Sequence, residues 1–238
     1  MKIRTIGHLV TMLPPLLLGL AGSSLAVDGI ALITQTSTTV FPIKISTSGS
    51  DRLASDLKVT STTADAIEIT ANNVTLDLNG FSIIGPGSGS GIGINSPAAH
   101  LNVSVSNGTV TGMGLGGIFL GDNAHVAGVT AVSNFGTGIQ VGNRSEVTDS
   151  AGNANSSEGI HCGADCVIYD NTANGNTIRG ICTSTGGSII RNSAAGNGVG
   201  LDLDTNSGYG KNVMENNGSG CVVNGTSMGD NVCNGVRS

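Results

Sequence analysis

The stretch EGIHCGADCVIYDNTANGNTI, residues 158–178, gathers more chemistry-bearing side chains than any other part of the chain: His161, Cys162, Cys166 and the acids Glu158, Asp165 and Asp170. Three chemistries fit such residues. An imidazole with nearby thiolates can hold zinc, and His161, Cys162, Cys166 and Cys182 form a four-ligand set of that kind. A thiol beside an imidazole and an acid can act as a nucleophile, which points to Cys182, His161 and Asp202. Two carboxylates can share acid and base work on a glycosidic bond, which points to Asp202 and Asp204 with His161 beside them. Which of these is open depends on which way each side chain faces.

The elements that set the facing follow from a repeat. On a step of 21, Gly117-Ile118, Gly138-Ile139, Gly159-Ile160 and Gly180-Ile181 fall in register. So do Asn134, Asn155, Asn176 and Asn197, and so do Val126, Val147, Ile168 and Ile189. One residue is then lost, and Gly200-Leu201 and Asn217 continue their columns one position early. A period near twenty, built from short β-branched runs cut by Gly and Asn, is that of a solenoid. The leucine pattern of leucine-rich repeats is missing, and no stripe of helical period is long enough for a helix. A parallel β-helix remains, each repeat one coil hydrogen-bonded to the next at about 4.8 Å.

Each column has an expected role. The isoleucines should stack inside, each gaining about 1.5–3 kcal/mol on burial. The glycines before them should permit a bend. The asparagines suit turns, and their amides can bond one another from coil to coil. Opposite charges meet at matched positions on adjacent coils: Arg144 with Asp165, Glu158 with Arg179, and Asp170 with Arg191. Upstream, NNVTLDLNG and LNVSVSNGTV alternate apolar and polar residues and should turn at Asn79-Gly80 and Asn107-Gly108. Their 28-residue separation implies that GPGSGSG is an inserted loop.

Composition sets the compartment and excludes some partners. Lys2 and Arg4 precede an apolar run to Leu20, and Ser24 and Ala26 satisfy a small-x-small rule, so residues 1–26 read as an export signal. Cleavage there leaves 212 residues with 8 basic and 16 acidic side chains, net −8. That charge disfavours nucleic acid and anionic membranes as partners, and no membrane insertion is expected after cleavage. The expected location is secreted, periplasmic or cell-surface. Charged residues are 11%, aromatics 3% and Trp is absent, while mean hydropathy is positive. That combination argues against disorder and for an interior filled by regular stacking. Residues 27–65 read as an N-terminal cap, 66–220 as β-helix repeats in about seven coils, and 221–238 as a C-terminal cap.

The motifs ANNVTLDLNGFSIIGPG, NGTVTG, the Gly-Ile coils, GYGKNV and MGDNVCNG resemble bacterial secreted right-handed parallel β-helix repeat proteins of the pectin-lyase-like superfamily. The resemblance covers nearly the whole mature chain. It implies an all-β, right-handed solenoid, a handedness also favoured for parallel crossovers. It also implies a face of the kind on which related enzymes bind glycans. Polysaccharide lyases, hydrolases, epimerases and adhesins share this superfamily, so the resemblance does not choose among them.

If Ile160 points in, His161 points out and Cys162 in. The outward column is then Phe119, Gln140, His161, Cys182 and Asp202, with Asp204 on the same face. Cys162 and Cys166 flank a short turn and are expected to bridge, as are Cys221 and Cys233 at the C-terminal end; Cys182 is then the odd thiol, and a Cys162–Cys182 bridge is the competing pairing. The zinc set would need inward and outward residues to converge, so no metal and no cofactor are expected. Asp202 and Asp204 lack the basic motif and histidine of pectin-degrading hydrolases. They also lack the third acid of a calcium-dependent lyase. Without Trp, stacking on sugars falls to Phe119, Phe135, Tyr169 or Tyr209. No Thr column survives for ice binding. The reading is a non-catalytic structural or glycan-binding module, with Phe119, Gln140 and Tyr209 as binding candidates and polysaccharide or cell-surface glycan as partner. Its rival is a small polysaccharide lyase, hydrolase or epimerase working through His161, Asp202 and Asp204.

Overall fold

Alternating burial along short β-branched runs sets the strands. In Val74–Asp77, Val74 and Leu76 are buried while Thr75 is exposed and Asp77 half-buried. The computed structural model describes residues 26–27, 29–97 and 99–237, and the export-signal reading of residues 1–26 lies almost wholly outside them. The described chain is all β, without a helix.

Three faces run along the solenoid. The first ladder stacks Ile30–Ile33, Gly49–Leu53, Val74–Asp77, Val103–Thr111, His125–Val132, Glu146–Thr148, Val167–Tyr169, Ser188–Ile190, Gly208–Gly210 and Thr226–Ser227 in parallel. The second stacks Ile43–Ile45, Ile67–Ile69, Ile92–Asn95, Gly116–Phe119, Thr137–Val141, Glu158–Cys162, Arg179–Thr183, Val199–Leu203 and Val222–Val223. A third, shorter face passes from Leu57–Lys58 and Ser82–Ile84 through the ends of two long strands to Ala151–Asn153, then by single bridges at Thr172, Ser193 and Val213. The array makes about ten coils rather than seven.

The difference in count lies at the ends. Residues expected to cap the N-terminus already run in the ladders: Ile30–Ile33 pairs Gly49–Leu53, and Ile43–Ile45 pairs Ile67–Ile69, all in parallel. Closure comes instead from Ala26–Val27, which pairs antiparallel with Ile30–Ile33. At the other end Val222–Val223 and Thr226–Ser227 still continue their ladders, and only Val232–Cys233 with Val236–Arg237 forms an antiparallel hairpin. Reversed strands at an open sheet end block further parallel addition.

Inside, Ile94, Ile118, Ile139, Ile160, Ile181 and Leu201 form one fully buried stack in the second ladder. Leu76, Val105, Val126, Val147, Ile168 and Ile189 form its counterpart in the first. The glycine column serves close approach, not a special backbone angle. A Cβ on Gly159 would lie 2.5 Å from the Gly152 carbonyl, 2.6 Å from the Asn176 amide nitrogen and 2.7 Å from the Gly180 carbonyl.

The asparagine column does not occupy the left-handed turn position; the preceding residue does, as Ser133, Ala154, Gly175, Gly196 and Asn216. The asparagines themselves are buried and form the amide ladder expected of them. Asn176 Oδ1 accepts from the backbone N–H of Asn155 at 3.0 Å and from its side-chain amide at 3.2 Å. Its own Nδ2 donates to Asn197 Oδ1 at 3.0 Å and to the Gly152 carbonyl at 2.8 Å. A second ladder of the same kind runs from Ser150 through Asn171, Asn192, Asn212 and Asn231 at another corner. There too a left-handed residue precedes each member: Asp149, Asp170, Arg191, Lys211 and Asp230.

Length changes fall outside the strands. The lost residue comes from the turn at Thr177-Ile178, which the next coil makes with Gly198 alone; Asn176 and Asn197 keep 21-residue spacing while Arg179 pairs Val199. A slip inside a strand would have turned its core face outward. The upstream excess is spread over three turns, not confined to GPGSGSG: the loops at 85–91 and 96–102 are each three residues longer than the next coil's equivalents, and the turn at 78–81 is two residues longer. Asn107-Gly108 does not end a strand: Val103–Thr111 runs through it, with Asn107 left-handed as a kink.

Candidate functional site

The second ladder's outer face carries the predicted row. Phe119 pairs Gln140, Gln140 pairs His161, His161 pairs Cys182, and Cys182 pairs Asp202. All five are half-buried, while Ile160 and Cys162 on either side of His161 are fully buried.

In Glu158–Cys162 both Gly159 and Ile160 turn toward the interior, so Glu158 and His161 lie together on the outer side, Glu158 buried beneath its neighbours and His161 half-buried. Glu158 Oε2 lies 2.9 Å from His161 Nδ1, and Glu158 Oε1 accepts from Arg179 Nη1 at 2.6 Å. Arg179 Nε donates to Asp202 Oδ2, so one guanidinium ties two carboxylates on different coils. Burial pushes the Glu158 carboxyl up. Hydrogen bonds and charge from His161 and Arg179 outweigh it and hold the group below its ordinary value. The Glu158–Arg179 pair was legible as a charge match between coils. Its link to His161 was missed, although the i, i+3 spacing across a glycine was the available signal.

Cys182 sits beside this network but is not activated by it. Burial, then the Glu158 charge, push its thiol up to about 11, with Asp202 adding and Arg179 opposing. The thiolate that a nucleophile needs is therefore scarce. At pH 7 alkylation of Cys182 is expected to run about a hundredfold slower than that of an ordinary exposed thiol. Timed iodoacetamide labelling read by mass spectrometry measures this; labelling at the free-cysteine rate would contradict it.

The other candidates separate. Asp204 lies beyond the end of its strand, exposed, with Oδ1 accepting the Thr205 backbone N–H at 2.6 Å. It shares with Asp202, Cys182, Thr183, Ser184, Leu203 and Asn224 a shallow depression of about 260 Å³. Tyr209 is not on this face: it follows Ile189 in the inward column of the first ladder and packs against the core. Lys211, close to Asp204 in sequence, stands in the left-handed corner column beside Asn212. Arg144 pairs back to Asp122 at 3.0 Å instead of forward to Asp165, while Arg191 and Asp170 pair as expected. Tyr169 lies on the first ladder with Arg191 6.0 Å from its ring centroid.

Cys162 and Cys166 are joined, as are Cys221 and Cys233, and Cys182 is free. The first bridge withdraws two of the four thiol and imidazole groups of the zinc set, because both cysteines point into the core. No protein-family description matches the chain, and no curated protein matches it. Among solved structures, the A-module of the mannuronan C-5 epimerase AlgE4 of Azotobacter vinelandii superposes with a TM-score of 0.53 at 13% identity. The match covers 80% of this chain and 68% of that one. At such identity the likeness concerns architecture: the chain is a parallel β-helix of the pectin-lyase-like fold.

Proposed function

We propose that the protein is an exported β-helix module that binds polysaccharide on the outer face of its second ladder without turning it over. The observation that carries this reading is the bridging of Glu158 and Asp202 by Arg179. A glycosidase acid needs a raised pKa, and Glu158 is held down instead. What this face still offers is a row of side chains one coil apart, a natural track for an extended chain. The structural neighbour is named for mannuronan, a polysaccharide, which fits the same ligand class. Two disulfides fit an oxidising compartment, as the basic and apolar N-terminal sequence does.

One observation favours a second reading. Glu158 holds His161 through Nδ1 and leaves Nε2 directed away from it, the arrangement of an oriented base. In that reading the same face performs lyase, hydrolase or epimerase chemistry. A glycan array with parallel product analysis separates the two. Retention of a polysaccharide with no new reducing ends, unsaturated products or epimers is expected. Product formation abolished by both His161→Ala and Glu158→Gln would replace the binding reading with the enzymatic one, and no retention of any glycan would remove both.

A further inference from the structure

Phe119 is a half-buried aromatic with a defined seat. Its ring is folded back along its own strand over Gly116, with Cε1 and Cζ 2.4 and 2.6 Å from where a Cβ on Gly116 would lie. Any other residue at 116 would occupy that seat. One coil on, the Gln140 side chain makes no hydrogen bond among the described residues, and beyond it His161 keeps Nε2 clear of Glu158. The cations around this row are already spent. Lys44 pairs Glu68 at 3.0 Å, Arg179 pairs Glu158 and Asp202, and Asp204 adds a further negative charge. Among the described residues of this face, no cation is left over for an anionic sugar.

We propose that Phe119, seated on Gly116, is a stacking platform for one sugar of a neutral polysaccharide, with the Gln140 amide bonding the hydroxyls of the next. This rests on the glycan-binding reading and narrows it. The ring supplies apolar area to the C–H face of a pyranose, and the free amide supplies orientation. A polyuronate brings one carboxylate per sugar to a face of net negative charge and is disfavoured. Gly116 acts as a positioning residue: it touches no ligand and holds the ring flat.

The test is calorimetric titration of the purified mature chain with cellohexaose, mannohexaose and laminarihexaose, and with hexameric oligogalacturonate and oligomannuronate. At least one neutral hexamer should bind, with an affinity insensitive to salt. Phe119→Ala and Gly116→Ala should each weaken it about tenfold or more, and Phe119→Tyr should retain it. Circular dichroism and the thermal midpoint of Phe119→Ala should stay near wild type, because Phe119 does not fill the core, whereas Gly116→Ala should also lower the midpoint, because its Cβ would lie 2.9 Å from the Thr137 carbonyl. Preferential, salt-sensitive binding of a uronate hexamer, or neutral binding indifferent to Phe119 and Gly116, would overturn this inference and leave glycan binding standing. No binding of either class would overturn both.

Discussion

Ile160→Asp is expected to abolish cooperative folding of the middle coils at neutral pH. Ile160 is fully buried between Ile139 and Ile181, and no basic side chain shares its interior column. The change removes about 1.5–3 kcal/mol of burial. It also places a carboxylate where nothing can pair it, which costs several kcal/mol more even if the group protonates. Domains are stable by only about 5–15 kcal/mol, so the loss is comparable with the whole. Ile160→Val serves as control and should cost about 0.5–1.5 kcal/mol. Urea titration followed by circular dichroism reads both; an Ile160→Asp midpoint equal to wild type would remove the stacking register.

Asn176→Leu should be nearly as damaging, although it makes the interior more apolar. It orphans the backbone N–H of Asn155 and the Gly152 carbonyl, leaves the Asn155 side-chain amide with only its bond to the Ala131 carbonyl, and strips one donor from Asn197. Each buried unsatisfied group costs about 1–3 kcal/mol, so the two orphans together cost on the order of 2–6 kcal/mol. Asn176→Asp adds a signature that packing alone would not give. Its ionised carboxyl would keep the acceptors facing Asn155 but oppose the carbonyl oxygens of Asn197 and Gly152, which raises its pKa in the folded state. The penalty is then present above that raised pKa and relieved as pH falls through it. Stability of Asn176→Asp relative to wild type should therefore recover on acidification, as measured by urea midpoints between pH 7 and pH 4. A difference independent of pH would mean that the amide ladder does not act through its donors.

The repeat was legible because three residue types kept one spacing across four coils, and that alone fixed which side chains of the second ladder face out. The roles of two columns were less legible. Glycine at 159 looked like a bend, but what excludes a side chain is the approach of neighbouring carbonyls, which no single chain position reveals. The second asparagine ladder was overlooked because Asn171, Asn192, Asn212 and Asn231 drift to steps of 20 and 19. Residues 27–65 read as a cap because no Asn precedes Asn72; the strands within them pair just as well, since backbone ladders need no particular side chain. Tyr209 could be named as a binding aromatic but not given a face, because only the structure shows that its strand belongs to the other ladder, where alternation carries it inward. Arg144 could be matched to either neighbouring coil, and only geometry chooses Asp122.

The amide ladder has a direction. Asn134, Asn155, Asn176 and Asn197, like Asn171, Asn192 and Asn212, accept through Oδ1 from the coil before and donate through Nδ2 both to a carbonyl of that coil and to the asparagine of the coil after, so the two faces of a coil are complementary, like plug and socket. A duplicated 21-residue coil inserted at Asn155 or Asn176 would find every amide partner waiting on both sides. Deleting one would join faces that already match. Chain length is thus free to change by whole coils without inventing any new interior chemistry. Each added coil would also bring one more outward side chain to the row of Phe119, Gln140 and His161, letting the reach of that surface evolve separately from the stability beneath it.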